Sequence, residues 1–360
     1  MKAIKLKKES PFIPSDALIS RLEIAYQHLI KNQEETDSAI WEMITHKNSN
    51  IHQALLKRDG TSLKLLSNPS ETNLYYGVDN LAADIVVKIP DESNSEYEQI
   101  RILLTQCCEA LGLLPIHNPE QIGTRGGRET LGLEEVLSLL AENDANFSFP
   151  NPFDGEFGIE TKYGLISYRA VQAYYQSQLL TRISDSAENY SVLEIGAGMG
   201  RTAFFAYSNG MRYAIVDLPL VLIGQALFLA ATLGEASFNF QNEPLSQERT
   251  ISLLSPNQFA QRSDKYDLII NVDSLTEMGE KTALSYIASI SEKAKLFLSI
   301  NHDVNDFSVN ELVKRGHKLK LIYRSQYWLR VGYCEELYIS TAKTSRYEIL
   351  RDYFKLHKRK

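Results

Sequence analysis

The chain has 360 residues, a net charge of -7 and a hydrophobic fraction of 44%, enough for one large packed unit with a smaller one beside it. The acidic balance argues against nucleic acid as the main partner, because phosphate binding needs a basic face and the only dense basic run is the tail from Lys355 to Lys360. Three cysteines, two of them adjacent at Cys107 and Cys108, form neither a disulfide framework nor a zinc pattern, which fits a reducing cytoplasm.

At the start, Lys2, Lys5, Lys7 and Lys8 precede no continuous apolar segment, so no signal peptide is expected, and no run approaches the roughly twenty residues that cross a bilayer. Leu18 to Asn32, Ala39 to Leu56, Tyr97 to Leu113 and Glu134 to Ala141 carry apolar residues at helical spacing. Turn formers dominate Asn68 to Asp79 and Pro115 to Arg128. The chain divides at Phe149-Pro150-Asn151-Pro152, giving a mainly helical region over 1–150, a second domain over 151–345 and a basic tail over 346–360. For the helical region three readings stay open: a lid, a homo-oligomer contact, or plain structural packing.

After the break an amphipathic helix is expected over Tyr163 to Leu180, leading into a strand from Ser191 to Ile195. Gly196, Gly198 and Gly200 follow at alternate positions; they allow a sharp turn and a close backbone approach to a ligand. Thr202 to Tyr207 reads as a helix stopped by Gly210, and Met211 to Val216 as the next strand, tipped by Asp217. Then come a helix over Leu220 to Leu233, strands at Ser237 to Phe240 and Tyr266 to Val272, a helix over Lys281 to Ile290, and a strand at Lys295 to Ile300. Leu319 to Tyr323 and Glu335 to Ser340 read as a terminal antiparallel hairpin. The alternation specifies a Rossmann-like α/β fold, a mostly parallel sheet with helices on both faces and the last strand reversed.

The glycine turn discriminates among cofactors. A Walker loop needs a Gly-Lys-Ser/Thr ending, which Arg201-Thr202 does not supply. A dinucleotide fingerprint spaces its glycines as Gly-x-Gly-x-x-Gly, and Glu194 two residues ahead of the first glycine would repel a pyrophosphate. That carboxylate suits the cationic, amino-bearing end of S-adenosylmethionine, and Asp217 sits where an acid accepts both ribose hydroxyls. The spacing favours the methyl donor; a dinucleotide, or a structural turn with no ligand, remains the alternative. The expected cofactor set is Glu194, Gly196, Ala197, Gly198, Asp217 and Leu218, with Asn257 and Gln258 at the adenine edge, Phe259 against its face, and Asn271 at the fourth strand tip.

Ligands in such sheets lie outside the carboxyl ends of the strands, where Asp273, Glu277, Asn301, His302 and Asp303 fall. Methyl transfer to a hydroxyl needs the oxygen in line with the methyl carbon and a group to take its proton. By chemistry His302 is the first candidate for that base, then Asp273 and Glu277; each has an ordinary alternative as a capping or loop-bonding residue. The same groups could hold a divalent metal, though none is predicted. Tyr163, Tyr327, Trp328 and Tyr333 could offer flat faces to a sugar or simply fill the core.

Leu-Glu-Ile-Gly-Ala-Gly-Met-Gly-Arg-Thr-Ala, Ile-Val-Asp-Leu-Pro, Asn-Val-Asp-Ser-Leu-Thr-Glu-Met, Leu-Ser-Ile-Asn and Gly-Tyr-Cys-Glu-Glu-Leu-Tyr together resemble the sugar O-methyltransferases of bacterial surface-polysaccharide and natural-product gene clusters. The likeness covers roughly residues 150 to 340. It implies a cytoplasmic S-adenosylmethionine-dependent enzyme that methylates a hydroxyl of a sugar-containing small molecule. Glu194, Gly196, Gly198 and Asp217 would then hold the cofactor, and Asp273 and Glu277 would lie near the acceptor. His302 stands where relatives carry Gln and Thr276 where Pro is frequent, so a base role for His302 is not implied by the resemblance. The competing readings are a methyltransferase-like cofactor-binding protein without catalysis that serves as an assembly partner, and a methyltransferase acting on a non-sugar small molecule.

Overall fold

The computed structural model describes residues 3–31, 39–84, 94–116, 131–184, 186–241, 243, 250–316 and 318–341. The turn-rich stretch beyond residue 116 and the basic tail lie outside these residues. The first half contains β1 (Ala3–Lys5), α1 (Asp16–Lys31), α2 (Ala39–Lys47), α3 (Ser49–Lys57), α4 (Thr61–Ser67), α5 (Asn94–Ala110) and α6 (Leu133–Asn143). There follow β2 (Phe157–Thr161), β3 (Gly164–Ile166), α7 (Tyr168–Ile183), β4 (Ser191–Ile195), α8 (Arg201–Ser208), β5 (Arg212–Val216), α9 (Pro219–Leu233), β6 (Phe238–Phe240), β7 (Ile251–Leu254) and α10 (Pro256–Gln261). The chain continues through β8 (Tyr266–Val272), α11 (Glu280–Lys293), β9 (Ala294–His302), α12 (Val309–Lys314), β10 (Leu319–Gln326) and β11 (Tyr333–Ser340).

Eight strands form one sheet in the order β10-β11-β9-β8-β4-β5-β7-β6. The run from β9 to β6 is parallel throughout, β11 enters antiparallel to β9, and β10 closes against β11. Successive residues of each strand point to opposite faces, and both faces are covered. Val192, Leu268, Ile270 and Leu298 feed one core with α7, α8 and α9; Leu193, Ile195, Ile269 and Phe297 feed the other with α10, α11 and α12. The chain leaves β4 toward β5 and later crosses back to place β8 on β4's other side. That switch opens a crevice at the strand tips, where open α/β sheets take ligands.

The first half packs on this sheet. Leu18, Leu22 and Tyr75 share a core with Ala226, Phe228 and Phe238, and the Tyr75 hydroxyl donates to the Gly224 carbonyl at 2.8 Å. β1 pairs with β2, so a small second sheet, β1-β2-β3, links chain on both sides of Pro150 and Pro152.

Several local expectations shift. The helix expected over Ala39 to Leu56 is two, meeting at buried Asn48, whose side-chain amide donates to the Ile44 carbonyl at 2.9 Å. The helix expected from Tyr163 starts at Tyr168, since Gly164, at φ 106°, first turns β2 into β3. Nor is α7 amphipathic: every residue from Ala170 to Leu180 is buried, between α5 and α8. The four-residue strand β7 falls where no strand is expected, a run too short for periodicity to reveal.

Candidate active site

The turn after β4 holds Gly196, Gly198 and Gly200 at φ 72°, 56° and 96°, left-handed values that favour glycine. Two of them are also closely covered. A Cβ on Gly196 would lie 2.2 Å from Ser274 Oγ, and one on Gly198 would lie 3.3 Å from the Val78 carbonyl oxygen. Asp217, at the tip of β5, locks the turn from the side: one carboxylate oxygen accepts from the Ala197 N–H (3.1 Å) and Gln225 Nε2 (2.7 Å), the other from the Leu218 N–H (2.9 Å). Gln225 Nε2 also donates to the Gly198 carbonyl at 2.9 Å.

Two carboxyls under this turn are buried. Burial pushes Glu194 up to about 8, although the Tyr213 hydroxyl, donating at 2.9 Å, favours its charged form. Burial likewise lifts Asp217 to about 7 against the hydrogen bonds from Leu218, Gln225 and Ala197. Such carboxyls are costly to ionise in an empty site and gain from a cation placed beside them.

Across the crevice, a network at the tips of β8 and β9 sets the opposite wall. Asn271 Nδ2 donates to the Ile195 carbonyl (2.8 Å) and to Ser274 Oγ (2.6 Å), while its Oδ1 accepts from Asn301 Nδ2 (2.9 Å). Asp273 follows at φ 71°, a value costly for a residue with a side chain. Its carboxylate is held at both oxygens, by the Tyr333 hydroxyl and by Arg330 Nη1, each at 2.6 Å. The Arg330 guanidinium lies 3.9 Å from the centroid of the Tyr333 ring. One turn on, half-buried Glu277 is raised to about 7 by burial and then by the Asp273 charge, against the pull of Arg330 and Arg169.

A third wall comes from α7 and the first half. Arg169, Gln172, Ala173 and Gln176 recur at helical spacing along the cavity side of α7. Gln176 accepts from Thr202 Oγ1 at 2.7 Å, near the glycine turn. Buried Arg201 donates to Asp79 and to Glu156, both at 3.0 Å, fixing the loop of Gly77, Val78 and Asp79 against the cavity. Burial opposes the Arg201 charge, but the two carboxylates hold its pKa above the ordinary range.

Of the residues singled out in the sequence, Glu194, Gly196, Ala197, Gly198, Asp217, Asp273 and Glu277 line this one cavity. The others do not. The His302 ring packs edge-on against Tyr333, with centroids 4.9 Å apart, and its Nδ1 accepts from the Val304 N–H at 3.3 Å. Phe259 has no free face for an adenine: it is 2% exposed and stacked on Tyr286. The Gln258 side chain caps α10 by accepting from the Ser255 N–H, and Asn257 Oδ1 accepts from Gln261. Asn271 is fully buried in its amide network, and Leu218 contributes its N–H to Asp217. The flat-face candidates Tyr327 and Tyr333 are core residues at 2% and 5% exposure, whereas Trp328 is exposed. No group of three or more His, Cys, Asp or Glu side chains arranged to hold a metal occurs among the described residues. Nor is any helix among them long and apolar enough to cross a membrane.

Sequence reasoning missed Gly77, Val78, Asp79, Arg169, Gln172, Gln176 and Arg330. For α7 a signal existed, since Arg169, Gln172 and Gln176 are polar at i, i+3 and i+7, on one face of the helix. For the loop at 77–79 there was none, because it reaches the site only by long-range packing.

No family model matches the chain, and no curated protein matches it. Among solved structures, magnesium protoporphyrin IX methyltransferase from Synechocystis PCC 6803 with bound SAH is 12% identical with a TM-score of 0.37, over 48% of this chain and 84% of that one. The CcbJ methyltransferase from Streptomyces caelestis is 13% identical with a TM-score of 0.37, over 48% and 90%. A TehB-like SAM-dependent methyltransferase from Corynebacterium glutamicum is 11% identical with a TM-score of 0.36, over 46% and 87%. The strand order is that of a Rossmann-like α/β fold: a mostly parallel sheet with β4 at its centre, switching sides at β8 and closing on the reversed β11.

Proposed function

We propose that the cavity binds S-adenosylmethionine and that the protein transfers its methyl group to a hydroxyl of a sugar or glycosylated small molecule. One observation carries the reading. A turn without side-chain bulk, flanked by the acids Glu194 and Asp217, faces a second carboxyl pair, Asp273 and Glu277, across a single cavity at the switch point of the sheet. When bound, the cofactor supplies a methyl group on a positively charged sulfur. Asp217 accepts hydrogen bonds from the ribose hydroxyls, the glycine turn lets the backbone approach, and Glu194 faces the cationic methionine end.

On the acceptor side the two carboxyls have different tasks. Both Asp273 oxygens are engaged by Tyr333 and Arg330, so Asp273 shapes the wall and orients these two side chains. Glu277, with a carboxyl at about 7, takes the proton as the hydroxyl oxygen bonds to the methyl carbon and the carbon–sulfur bond breaks. A base near the working pH is most effective in this role. The sugar assignment is supported by the sequence resemblance, and the polar lining of Gln172, Gln176 and Thr202 suits an acceptor rich in hydroxyls.

The test has two stages. Calorimetric titration with S-adenosylhomocysteine should show binding that D217N weakens by about 1.5–3 kcal/mol, the worth of hydrogen bonds to a charged group. Incubation with labelled methyl donor and a panel of sugars, sugar acids and nucleotide sugars should then label a hydroxyl. Absence of cofactor binding in the wild-type protein would overturn the reading.

A further inference from the structure

The acceptor side of the cavity contains a cation that no hydrogen bond ties down. Arg169 lines the cavity, and among the described residues the group that feels its charge is Glu277, the carboxyl proposed to take the acceptor's proton. The other two cavity guanidiniums are committed, Arg201 to Asp79 and Glu156, and Arg330 to Asp273. Arg169 is also badly placed for helix stability. It is the second residue of α7, after the N-cap Ser167, in a first turn that contains no acid, where the helix dipole disfavours positive charge.

Its place along α7 separates it from the cofactor's expected seat. Gln176, seven residues later on the same stripe, meets Thr202 beside the glycine turn. At about 1.5 Å per residue, Arg169 lies roughly 10 Å further out along the helix. There the neighbouring Tyr168 hydroxyl and Gln172 Nε2 both donate to the Leu329 carbonyl, at 3.3 and 3.4 Å. The start of α7 therefore abuts the turn that carries Arg330, on the Asp273 and Glu277 side of the cavity.

We infer that the acceptor is an anionic sugar, carrying a carboxylate or phosphate that pairs with Arg169 while the reacting hydroxyl faces Glu277. This rests on the proposed methyl transfer for the identity of the second ligand, but the pairing is testable without turnover. A guanidinium grips either oxyanion in a two-pronged contact, and burial in a cleft strengthens it.

The experiment titrates glucuronate, glucose 1-phosphate and glucose into the full chain saturated with S-adenosylhomocysteine, and into the unsaturated protein. One or both anions should bind more tightly than glucose, and which one binds separates a sugar acid from a sugar phosphate. R169Q should weaken the anion about tenfold or more and leave glucose unchanged, and R169K should recover part of the loss. The inference fails if none of the three binds, if charge makes no difference, or if R169Q leaves anion binding intact. It also fails if R169Q weakens S-adenosylhomocysteine but not 5′-methylthioadenosine, which lacks the amino-acid end, since the guanidinium would then hold the cofactor's carboxylate. Failure of S-adenosylhomocysteine to bind the wild type would instead bring down the methyl-transfer reading, with anion binding to the unsaturated protein still reporting on Arg169.

Discussion

Gly196→Ala isolates the physical demand at the centre of the site. The added methyl must lie 2.2 Å from Ser274 Oγ and 2.6 Å from Ser274 Cβ unless something moves. Ser274 cannot swing aside freely: it is 6% exposed, accepts from Asn271 Nδ2 at 2.6 Å and donates to the Ile195 carbonyl at 3.2 Å. The left-handed backbone at φ 72° costs an alanine about 1–2 kcal/mol, and forcing the packed neighbour away adds about 1–3 kcal/mol. A loss of about 2–5 kcal/mol is expected, read from urea unfolding followed by circular dichroism. The second variant, S274G, removes the atoms that collide but leaves the backbone term. The double variant should therefore recover more than about 1 kcal/mol relative to the sum of the single losses. A loss below about 1 kcal/mol in G196A, or strict additivity with S274G, would show that the turn yields elsewhere and that the close approach to Ser274 is not what demands glycine.

Three further outcomes follow from the same geometry. Glu194 at about 8 and Asp217 at about 7 are raised by burial in the ligand-free protein, and a bound cation favours their ionised forms, so cofactor binding should release protons. The dissociation constant for S-adenosylmethionine should rise as pH falls from 8 to 6, and calorimetry in buffers of different ionisation heat should count the released protons; a flat profile with no release refutes this. Because the folded-state values lie above the unfolded ones, these carboxyls stabilise the ligand-free fold fully below about pH 4 and lose that contribution as pH rises through 7 to 8. With an acceptor found in the transfer screen, E277Q should lower kcat by about 10²–10⁴-fold, whereas H302A, outside the cavity, should stay within about twofold of wild type; the reverse ranking would restore His302 as the base. R201L leaves the buried acids Asp79 and Glu156 without their shared cation, and should cost about 3–5 kcal/mol in thermal or urea unfolding; a loss under about 1 kcal/mol would show that the loop at 77–79 is held by other means.

What could be read in the sequence was what is contiguous in it. The strand ending at Ile195, the glycine turn and the acid at Asp217 lie within one βαβ unit, where apolar runs and glycines report backbone geometry directly, and the mostly parallel sheet with its reversed last strand is found as expected. Side-chain direction was not legible. Phe259 in α10 and Asn271 near the tip of β8 have suitable chemistry, yet each turns into protein, one against Tyr286 and the other into the amides joining β4, β8 and β9. His302 is lost to the site for the same reason, its ring occupied by Tyr333 across the β9–β11 pair.

The long-range part of the site has a different logic. The carbonyl of Val78 covers the glycine turn, and Asp79 is fastened there by Arg201, a residue of the helix that the turn itself begins. One guanidinium thus ties the first half of the chain to the helix whose N-terminus faces the cofactor's proposed seat. Moving this loop outward would separate buried Asp79 from Arg201, which holds the loop in place. Arg169 differs in having no such bond to break. Within one cavity, Arg201 and Arg330 are bonded to carboxylates and hold the walls, while Arg169, which acts on Glu277 through its charge, is the guanidinium proposed to meet a ligand.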